Sequence, residues 1–115
     1  MPPSLGDRLA HIIEAIDSIQ SILADQTQES LDIDRTRRLA LERAFEIVCE
    51  ASRYVPADVK AQETAIDWRK MNDLGNLLRH AYHLVNISRL VVIAKNDLPP
   101  LKAFVERIVA EESRR

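Results

Sequence analysis

Glycine is nearly absent from this chain of 115 residues, occurring only as Gly6 and Gly75. Tight turns and Gly-rich phosphate-binding loops both depend on glycine, so they are nearly excluded. Cys49 is the single cysteine, which rules out an internal disulfide, and no zinc-site pattern is present. A reducing cytoplasm fits this cysteine usage, and the chain is expected to be cytoplasmic.

Long apolar runs are missing as well. No stretch approaches the roughly 18 apolar residues that would span a bilayer. The first four residues lack a basic region followed by an apolar run, so a signal peptide is not expected. The formal net charge of −2 argues against a protein that holds nucleic acid by bulk charge alone, although local basic patches remain possible.

The remaining composition is that of one ordinary soluble domain. Hydrophobic residues make up 46% and charged residues 30% of the chain. A length of 115 residues is enough for one modest hydrophobic core, and no internal repeat or low-complexity segment interrupts it. We therefore expect a single domain over residues 1–115.

The first helix is predicted from a capping signal and a helical apolar period. Ser4 is a plausible N-cap, and Asp7 occupies the capping-box position three residues later. The apolar residues then recur at helical spacing to about Ala24. The polar, aperiodic residues 25–29 are predicted to form a loop.

A second helix is predicted to begin after Ser30 or Asp32 and to stop before Pro56, because the residue before proline avoids helical geometry. Its predicted apolar face is formed by Ile33, Ala40, Leu41, Ala44, Phe45, Ile47, Val48 and Ala51. Pro56 suits the first turn of a short third helix through about Glu63.

The central helix is predicted to be capped by Asp67 and to continue until a break at Asn86. One side of it is apolar, with Met71, Leu74, Leu77, Leu78, Ala81, Leu84 and Val85. A polar stripe runs beside that face and contains Arg69, Asp73, Asn76, His80 and His83. Gly75, Arg79 and Tyr82 are predicted to lie together on the flank that faces away from the core.

Two further segments complete the chain. Residues 87–95 are predicted to be helical, with a strand as the weaker option for the β-branched run 91–93. Residues 96–100 stop or kink that segment, and the last helix is expected from Leu101 to about Glu112. The resulting architecture is an all-α antiparallel bundle of four or five helices. Its wide apolar faces suggest a dimer.

The polar groups of the central helix are the candidates for chemistry. His80 can take or give a proton near neutral pH, although a lone helical histidine is more often structural. Arg79 could hold a phosphate by paired hydrogen bonds, or be only a solvated surface residue. The Tyr82 hydroxyl could donate a proton or accept a modification, or the ring could simply pack.

Gly75 and an arginine cluster leave alternatives open. Glycine inside a helix costs about 1 kcal/mol relative to alanine, so Gly75 marks either the close approach of another backbone or ligand, or a tolerated surface glycine. Arg35, Arg37 and Arg38, with Arg43 beyond them, form either a charged helix face or a patch that steers RNA.

Three stretches together resemble a known family. They are Trp68-Arg69-Lys70-Met71, then Gly75-Asn76-Leu77-Leu78-Arg79-His80-Ala81-Tyr82, and finally Asp97-Leu98-Pro99-Pro100-Leu101. These stretches, with the length and helix order, resemble a HepT-like protein of the HEPN superfamily. The most specific part is the short run around His80 and Tyr82.

The resemblance implies an all-α homodimer whose active clefts lie between subunits, with metal-independent RNA cleavage and no cofactor. It implies the toxin of a two-gene toxin–antitoxin system whose minimal nucleotidyltransferase partner attaches AMP to the motif tyrosine. In the family motif, arginine is followed after four residues by histidine and then by one residue and tyrosine. His80, Tyr82 and Asn76 match this pattern, whereas Gly75 occupies the arginine position.

Three functions therefore remain to be distinguished. In the first, Arg79 supplies the missing charge and acts with His80 and Asn76 as a catalytic set for RNA cleavage, with Tyr82 as the modification site. In the second, the site has lost its chemistry because of Gly75, and the bundle only binds a nucleotidyltransferase or a nucleotide. In the third, the chain is a helical dimerisation module without a site.

Overall fold

The computed structural model describes residues 2–114, and every regular element in this range is helical. The elements are α1 (Leu5–Leu23), α2 (Gln28–Asp32), α3 (Arg35–Arg53), α4 (Ala57–Lys60), α5 (Trp68–His80), a 3₁₀ turn (Tyr82–Leu84), α6 (Ile87–Asn96) and α7 (Leu98–Ser113). The predicted all-α class is confirmed. Helices α1, α3, α5, α6 and α7 are the five predicted long helices, α4 is the predicted short third helix, and only α2 is an additional element.

Helix α3 packs against both α1 and α5, and α7 packs against α1 and α6. All five long helices contribute to one continuous core. Its largest fully buried side chains include Ile12, Ile16 and Ile19 from α1, Phe45 and Val48 from α3, and Leu90, Ile93 and Leu101 from α6 and α7. Helix α5 adds the buried residues Met71, Leu74 and Leu78.

The predicted start of α1 is confirmed in atomic detail. The Asp7 backbone N–H donates to the Ser4 hydroxyl at 3.1 Å, and the Ser4 backbone N–H donates to the Asp7 carboxylate at 3.0 Å. This reciprocal pair satisfies two backbone donors that a helix N-terminus leaves free. Local polar spacing was therefore sufficient to locate this helix end.

The prediction for residues 25–29 is wrong in its second half, because α2 begins inside that segment. Thr27 and Ser30 form a capping box, with backbone-to-hydroxyl distances of 3.0 and 2.9 Å. Ser30 and Asp32 were also wrong candidates for the cap of α3. That cap is Asp34, whose carboxylate accepts the backbone N–H of the third residue of α3 at 2.9 Å.

Two residues of the predicted apolar face of α3 are not buried. Ile33 lies between α2 and α3 and is 88% exposed, and Ala40 is also exposed. The error at Ile33 follows from the missed helix α2, which ends at Asp32 and leaves Ile33 in the link between the two helices. Ala40 lies within α3 and faces outward. Leu41, Ala44, Phe45, Val48 and Ala51 are buried as predicted, whereas Ile47 is only half-buried.

Helix α5 begins where predicted but ends earlier. The Asp67 carboxylate accepts the Lys70 backbone N–H at 2.9 Å, which confirms Asp67 as the cap. The helix then ends at His80, because Ala81 leaves helical geometry with φ −143° and ψ 46°. The chain turns here to reach α6, whose N-cap is Asn86. The apolar and polar lines predicted to continue beyond residue 80 therefore do not continue.

Two other predicted boundaries shift, and one predicted alternative is wrong. Helix α4 ends at Lys60 instead of about residue 63, and the weaker strand option for residues 91–93 is wrong because they lie within α6. Helix α7 begins at Leu98, three residues earlier than predicted, with Pro99 and Pro100 in its first turn. Proline is tolerated there because a helix leaves the first N–H groups unpaired in any case.

A search for helices of sufficient length and apolarity to cross a membrane finds none within residues 2–114.

Cys49 is a fully buried part of the core, and burial raises the pKa of its thiol to about 12. A thiol with a raised pKa stays protonated across neutral pH, and the thiolate is the form that reacts. We therefore expect iodoacetamide to leave Cys49 unmodified in the folded protein at pH 8 and to modify it fully in urea. Intact mass spectrometry measures both states, and fast alkylation of the folded chain would contradict the buried position.

Candidate functional site

The guanidinium of Arg79 is the centre of a small hydrogen-bonded network between α5 and α3. Its Nη2 donates to the Asn76 side-chain oxygen at 2.6 Å, and its Nη1 donates to the Glu50 carboxylate at 3.0 Å. Side chains on a helix lean toward its N-terminus, so Arg79 reaches back over the preceding turn. Arg79 and Asn76, two of the three predicted catalytic residues, are therefore in direct contact.

Gly75 is buried, which corrects the prediction that it lies on an outward flank with Arg79 and Tyr82. A Cβ atom at this position would lie 2.9 Å from the Cβ of Cys49 on α3. Real Cβ atoms do not approach so closely, so glycine is needed for the two helices to pack at this distance. Of the alternatives left open, close approach of a neighbouring helix is the one observed.

Arg79 covers the position from which an arginine at residue 75 would extend. Its Nη1 would lie 3.5 Å from a Cβ built on Gly75, an ordinary van der Waals contact. The guanidinium therefore lies beside residue 75 although the arginine is four positions later in the chain. This contact depends on the length and backward lean of the arginine side chain, which sequence spacing alone does not describe.

Glu50 holds this arginine in place and was not among the predicted site residues. Its carboxylate accepts from Arg79 at 3.0 Å and from Arg53, on its own helix, at 3.2 Å. One carboxylate shared by two guanidinium groups leaves a surplus of positive charge at the site. The partner could not be found by spacing, because 29 residues separate Glu50 from Arg79.

His80 and Tyr82 lie at the exposed end of α5. His80 is the last residue of the helix and is exposed, and Tyr82 is 70% exposed in the following 3₁₀ turn. The Tyr82 ring contacts the ring of His83 edge to face, with centroids 5.9 Å apart. His80 makes no hydrogen bond to any residue that the structure describes, so its imidazole is available to an incoming group.

The predicted polar stripe is only partly preserved. Arg69, Asp73, Asn76 and His80 all lie on α5, but His83 does not, because the helix has ended. The Asn76 side-chain oxygen accepts a hydrogen bond from Arg79, so Asn76 helps to hold the guanidinium in place. Of the stripe residues, Asn76 is the one bonded to Arg79, and His80 follows Arg79 directly in the chain.

The arginine cluster at the start of α3 is mainly structural. Arg37 pairs with Asp34 and donates to the Ile22 carbonyl at 2.8 Å. Arg38 donates to the Leu31 carbonyl at 2.7 Å. These contacts tie α2 and the end of α1 to α3. For Arg37 and Arg38 they support the alternative of a structural helix face over an RNA-steering patch, whereas Arg43 lies farther along α3 and pairs with Glu46.

No group of three or more His, Cys, Asp or Glu side chains able to hold a metal ion occurs between residues 2 and 114. Cys49 and Glu50 are adjacent in the chain on α3, and Glu50 belongs to the network. The Cys49 thiol is buried with a raised pKa and is not a nucleophile in this environment. The side chains at this end of α5 that could take or give a proton are His80, Tyr82 and His83, all of them exposed.

Comparison with known proteins decides the family. The family model described as Ribonuclease HepT-like matches residues 12–108, which include α3, α5 and the 3₁₀ turn in full. The chain belongs to the HepT-like ribonuclease family. The resemblance inferred from the motif around His80 and Tyr82 is thereby confirmed.

Curated relatives cover nearly the whole HepT-like chain. A protein of Thermococcus cleftensis named "Probable ribonuclease HepT" is 35% identical over 108 residues, covering 94% of this chain and 98% of the relative. "Putative RNase MJ1380" of Methanocaldococcus jannaschii is 32% identical over 98 residues, covering 85% and 90% respectively. No solved structure matches the chain. These relatives support a ribonuclease-like function.

Substitution of Gly75 by alanine tests the helix contact. Helix propensity alone would make this change stabilising by about 1 kcal/mol. Because the new Cβ meets Cys49, we expect instead a loss of about 1–3 kcal/mol in the free energy of unfolding, measured by urea titration.

A double-mutant cycle provides the matched control. In a Cys49→Gly background the opposing Cβ is absent, so Gly75→Ala should lose its cost. In a Cys49→Ala background the Cβ remains, and the cost should persist. If Gly75→Ala stabilises the otherwise unaltered protein, the close approach of α3 and α5 is refuted.

Proposed function

We propose that this HepT-like protein is a metal-independent endoribonuclease whose active site forms between two subunits. The observation that supports this most strongly is the Asn76–Arg79–Glu50 network, which holds a guanidinium next to Gly75, where the family motif has its arginine. Arg79 then replaces the motif arginine by reaching back one turn. His80, exposed and one residue later, supplies the imidazole.

The proposed reaction assigns one role to each group. A histidine removes the proton from the ribose 2′-hydroxyl, whose oxygen attacks the adjacent phosphorus. The bond from phosphorus to the 5′-oxygen breaks, and a second histidine protonates that oxygen. The products are a 2′,3′-cyclic phosphate and a 5′-hydroxyl. Arg79 stabilises the negative charge that develops on the phosphoryl oxygens.

A homodimer accounts for the need for two histidines. Each chain carries one His80 at the exposed end of α5, so two subunits meeting there would bring a base and an acid to one cleft. Exposed Tyr82 and Leu84, 70% and 64% accessible, provide apolar surface next to His80 for such a contact. Light scattering of the purified protein should therefore give twice the monomer mass.

Cleavage of a labelled RNA tests the proposal. We expect His80→Ala to lower kcat by at least about 100-fold, since general acid–base catalysis contributes about 10²–10⁴-fold. Arg79→Ala should lower kcat by about 100-fold or more, since it removes a donor that stabilises the developing phosphoryl charge. The matched control is His83→Ala, which removes a neighbouring exposed imidazole outside the helix.

Two results would contradict the proposed nuclease activity. Undiminished cleavage by His80→Ala protein with native circular dichroism would show that the activity belongs to another group or to a contaminant. Complete absence of cleavage by the wild-type dimer would favour the second candidate function. That function is a catalytically degenerate partner of a nucleotidyltransferase, and Gly75 in the arginine position is the observation that favours it.

We further propose that the protein is the toxin of a two-gene toxin–antitoxin module and that a minimal nucleotidyltransferase neutralises it by attaching AMP to Tyr82. In this step the tyrosine oxygen attacks the α-phosphate of ATP and pyrophosphate leaves. The support is the family resemblance together with the 70% exposure of Tyr82, which gives an enzyme access to its hydroxyl.

The second tyrosine provides the control for this step. After incubation with ATP and the proposed nucleotidyltransferase partner, we expect intact mass spectrometry to show added AMP on wild-type and Tyr54→Phe protein. Tyr82→Phe protein should gain none. Modification that persists in Tyr82→Phe protein would exclude Tyr82 as the acceptor.

A further inference from the structure

An arginine-rich groove, lined by α1, α3 and α5, lies beside the proposed site. It encloses about 250 Å³, and Arg8, Arg43, Arg53 and Arg79 contribute to its walls. Arg79 belongs to both the groove and the network described above. The groove therefore begins at the proposed catalytic arginine and extends toward α1, which contributes no residue to that network.

The groove is locally positive although the chain carries a formal net charge of −2. Only two carboxylates, Glu46 and Glu50, line it against the four arginines. Both are already engaged, Glu46 with Arg43 at 2.9 Å and Glu50 with Arg53 and Arg79. The fourth arginine, Arg8, makes no salt bridge within residues 2–114.

Arg8 is held in place without being neutralised. Its guanidinium lies over the ring of Tyr54, 3.8 Å from the centroid. Its Nε is buried and has no hydrogen-bond partner among the residues that the structure describes. Stacking on an aromatic ring fixes the plane of a guanidinium and retains its full charge. Arg8 is thus an oriented cation without an acceptor.

We propose that this groove binds the phosphodiester backbone of the RNA next to the phosphate that is cut, with Arg8 as a phosphate-binding residue and Tyr54 as its positioning residue. The inference rests on the proposed nuclease, because it places the strand between Arg79 and α1. Guanidinium groups bind phosphates by paired charge-assisted hydrogen bonds, and Arg8 has donors to spare.

The charged lining of the groove favours an RNA strand over a second protein subunit as its occupant. Seven of the nine residues lining the groove are ionisable, and only Ile47 and Ala51 are apolar. The centre of a protein–protein interface is depleted of charged residues, whereas nucleic-acid surfaces are rich in arginine. The exposed apolar residues suited to a dimer contact, Tyr82 and Leu84, do not line this groove.

Binding of a non-cleavable strand measures the contribution of Arg8 directly. The probe is a fluorescein-labelled 2′-O-methyl RNA of about 12 nucleotides, within the usual site size for a single strand. It lacks a free 2′-hydroxyl and cannot be cut. We expect Arg8→Gln to weaken binding about fivefold and to reduce the slope of log K against log salt by about 0.7, as loss of one phosphate contact requires.

Two matched variants accompany this measurement. Arg35→Gln removes an exposed arginine at the start of α3, outside the groove, and should leave affinity and salt slope nearly unchanged. Tyr54→Leu removes the ring under Arg8 and should weaken binding in the same direction as Arg8→Gln, whereas Tyr54→Phe keeps the ring and should not. Circular dichroism verifies that each variant folds.

Kinetics separate the groove from the catalytic network. Arg8→Gln should raise KM about fivefold with little change in kcat, while Arg79→Ala lowers kcat. If wild-type protein cuts no RNA but its RNA binding still depends on Arg8, RNA binding in the groove is supported and the proposed nuclease activity is rejected. If RNA is cut and Arg8→Gln leaves KM, affinity and salt slope unchanged, RNA binding in the groove is refuted and the proposed nuclease activity is retained.

The oligomeric state provides one more test. Dissociation of a dimer by Arg8→Gln without loss of RNA affinity would also overturn the proposal, because the groove would then be a subunit interface.

Discussion

The close approach of α5 to α3 at Gly75 is the constraint on which the rest of the site depends. With no side chain at residue 75, the helix backbone comes within reach of Cys49, and a Cβ there would lie only 2.9 Å from its neighbour. The same approach brings Glu50 within hydrogen-bond distance of Arg79. A larger residue at position 75 would separate the helices and disconnect the arginine from its anchor.

This contact changes the meaning of the departure from the family motif. In the sequence, Gly75 stands where the family motif has an arginine, so the motif lacks that positive charge. In three dimensions the glycine leaves room, and the guanidinium of Arg79 lies against it, bonded to Asn76 and Glu50. A glycine and an arginine one turn apart thus form a compact unit that places positive charge beside residue 75, close in sequence to the exposed imidazole of His80.

Local signals in the sequence predicted much of the fold. The caps at Ser4 and Asp67 were correct because capping depends on residues three positions apart, and the buried faces of α1 and α3 followed from helical spacing. The end of α5 at His80 was missed because no proline or glycine marks it, and the turn is set by the need to reach α6. Contacts between distant segments, such as Glu50 with Arg79 and Arg8 with Tyr54, leave no pattern in a single sequence.

The most direct test of the central claim is a crystal structure of the dimer bound to 2′-O-methyl RNA. We expect the guanidinium of Arg79 to contact the phosphate that follows the blocked 2′-oxygen. The His80 imidazole of one subunit should lie near that 2′-oxygen, and the His80 imidazole of the other subunit near the 5′-oxygen that leaves. A structure in which that phosphate lies far from Arg79, or in which the two His80 side chains do not share a cleft, would contradict it.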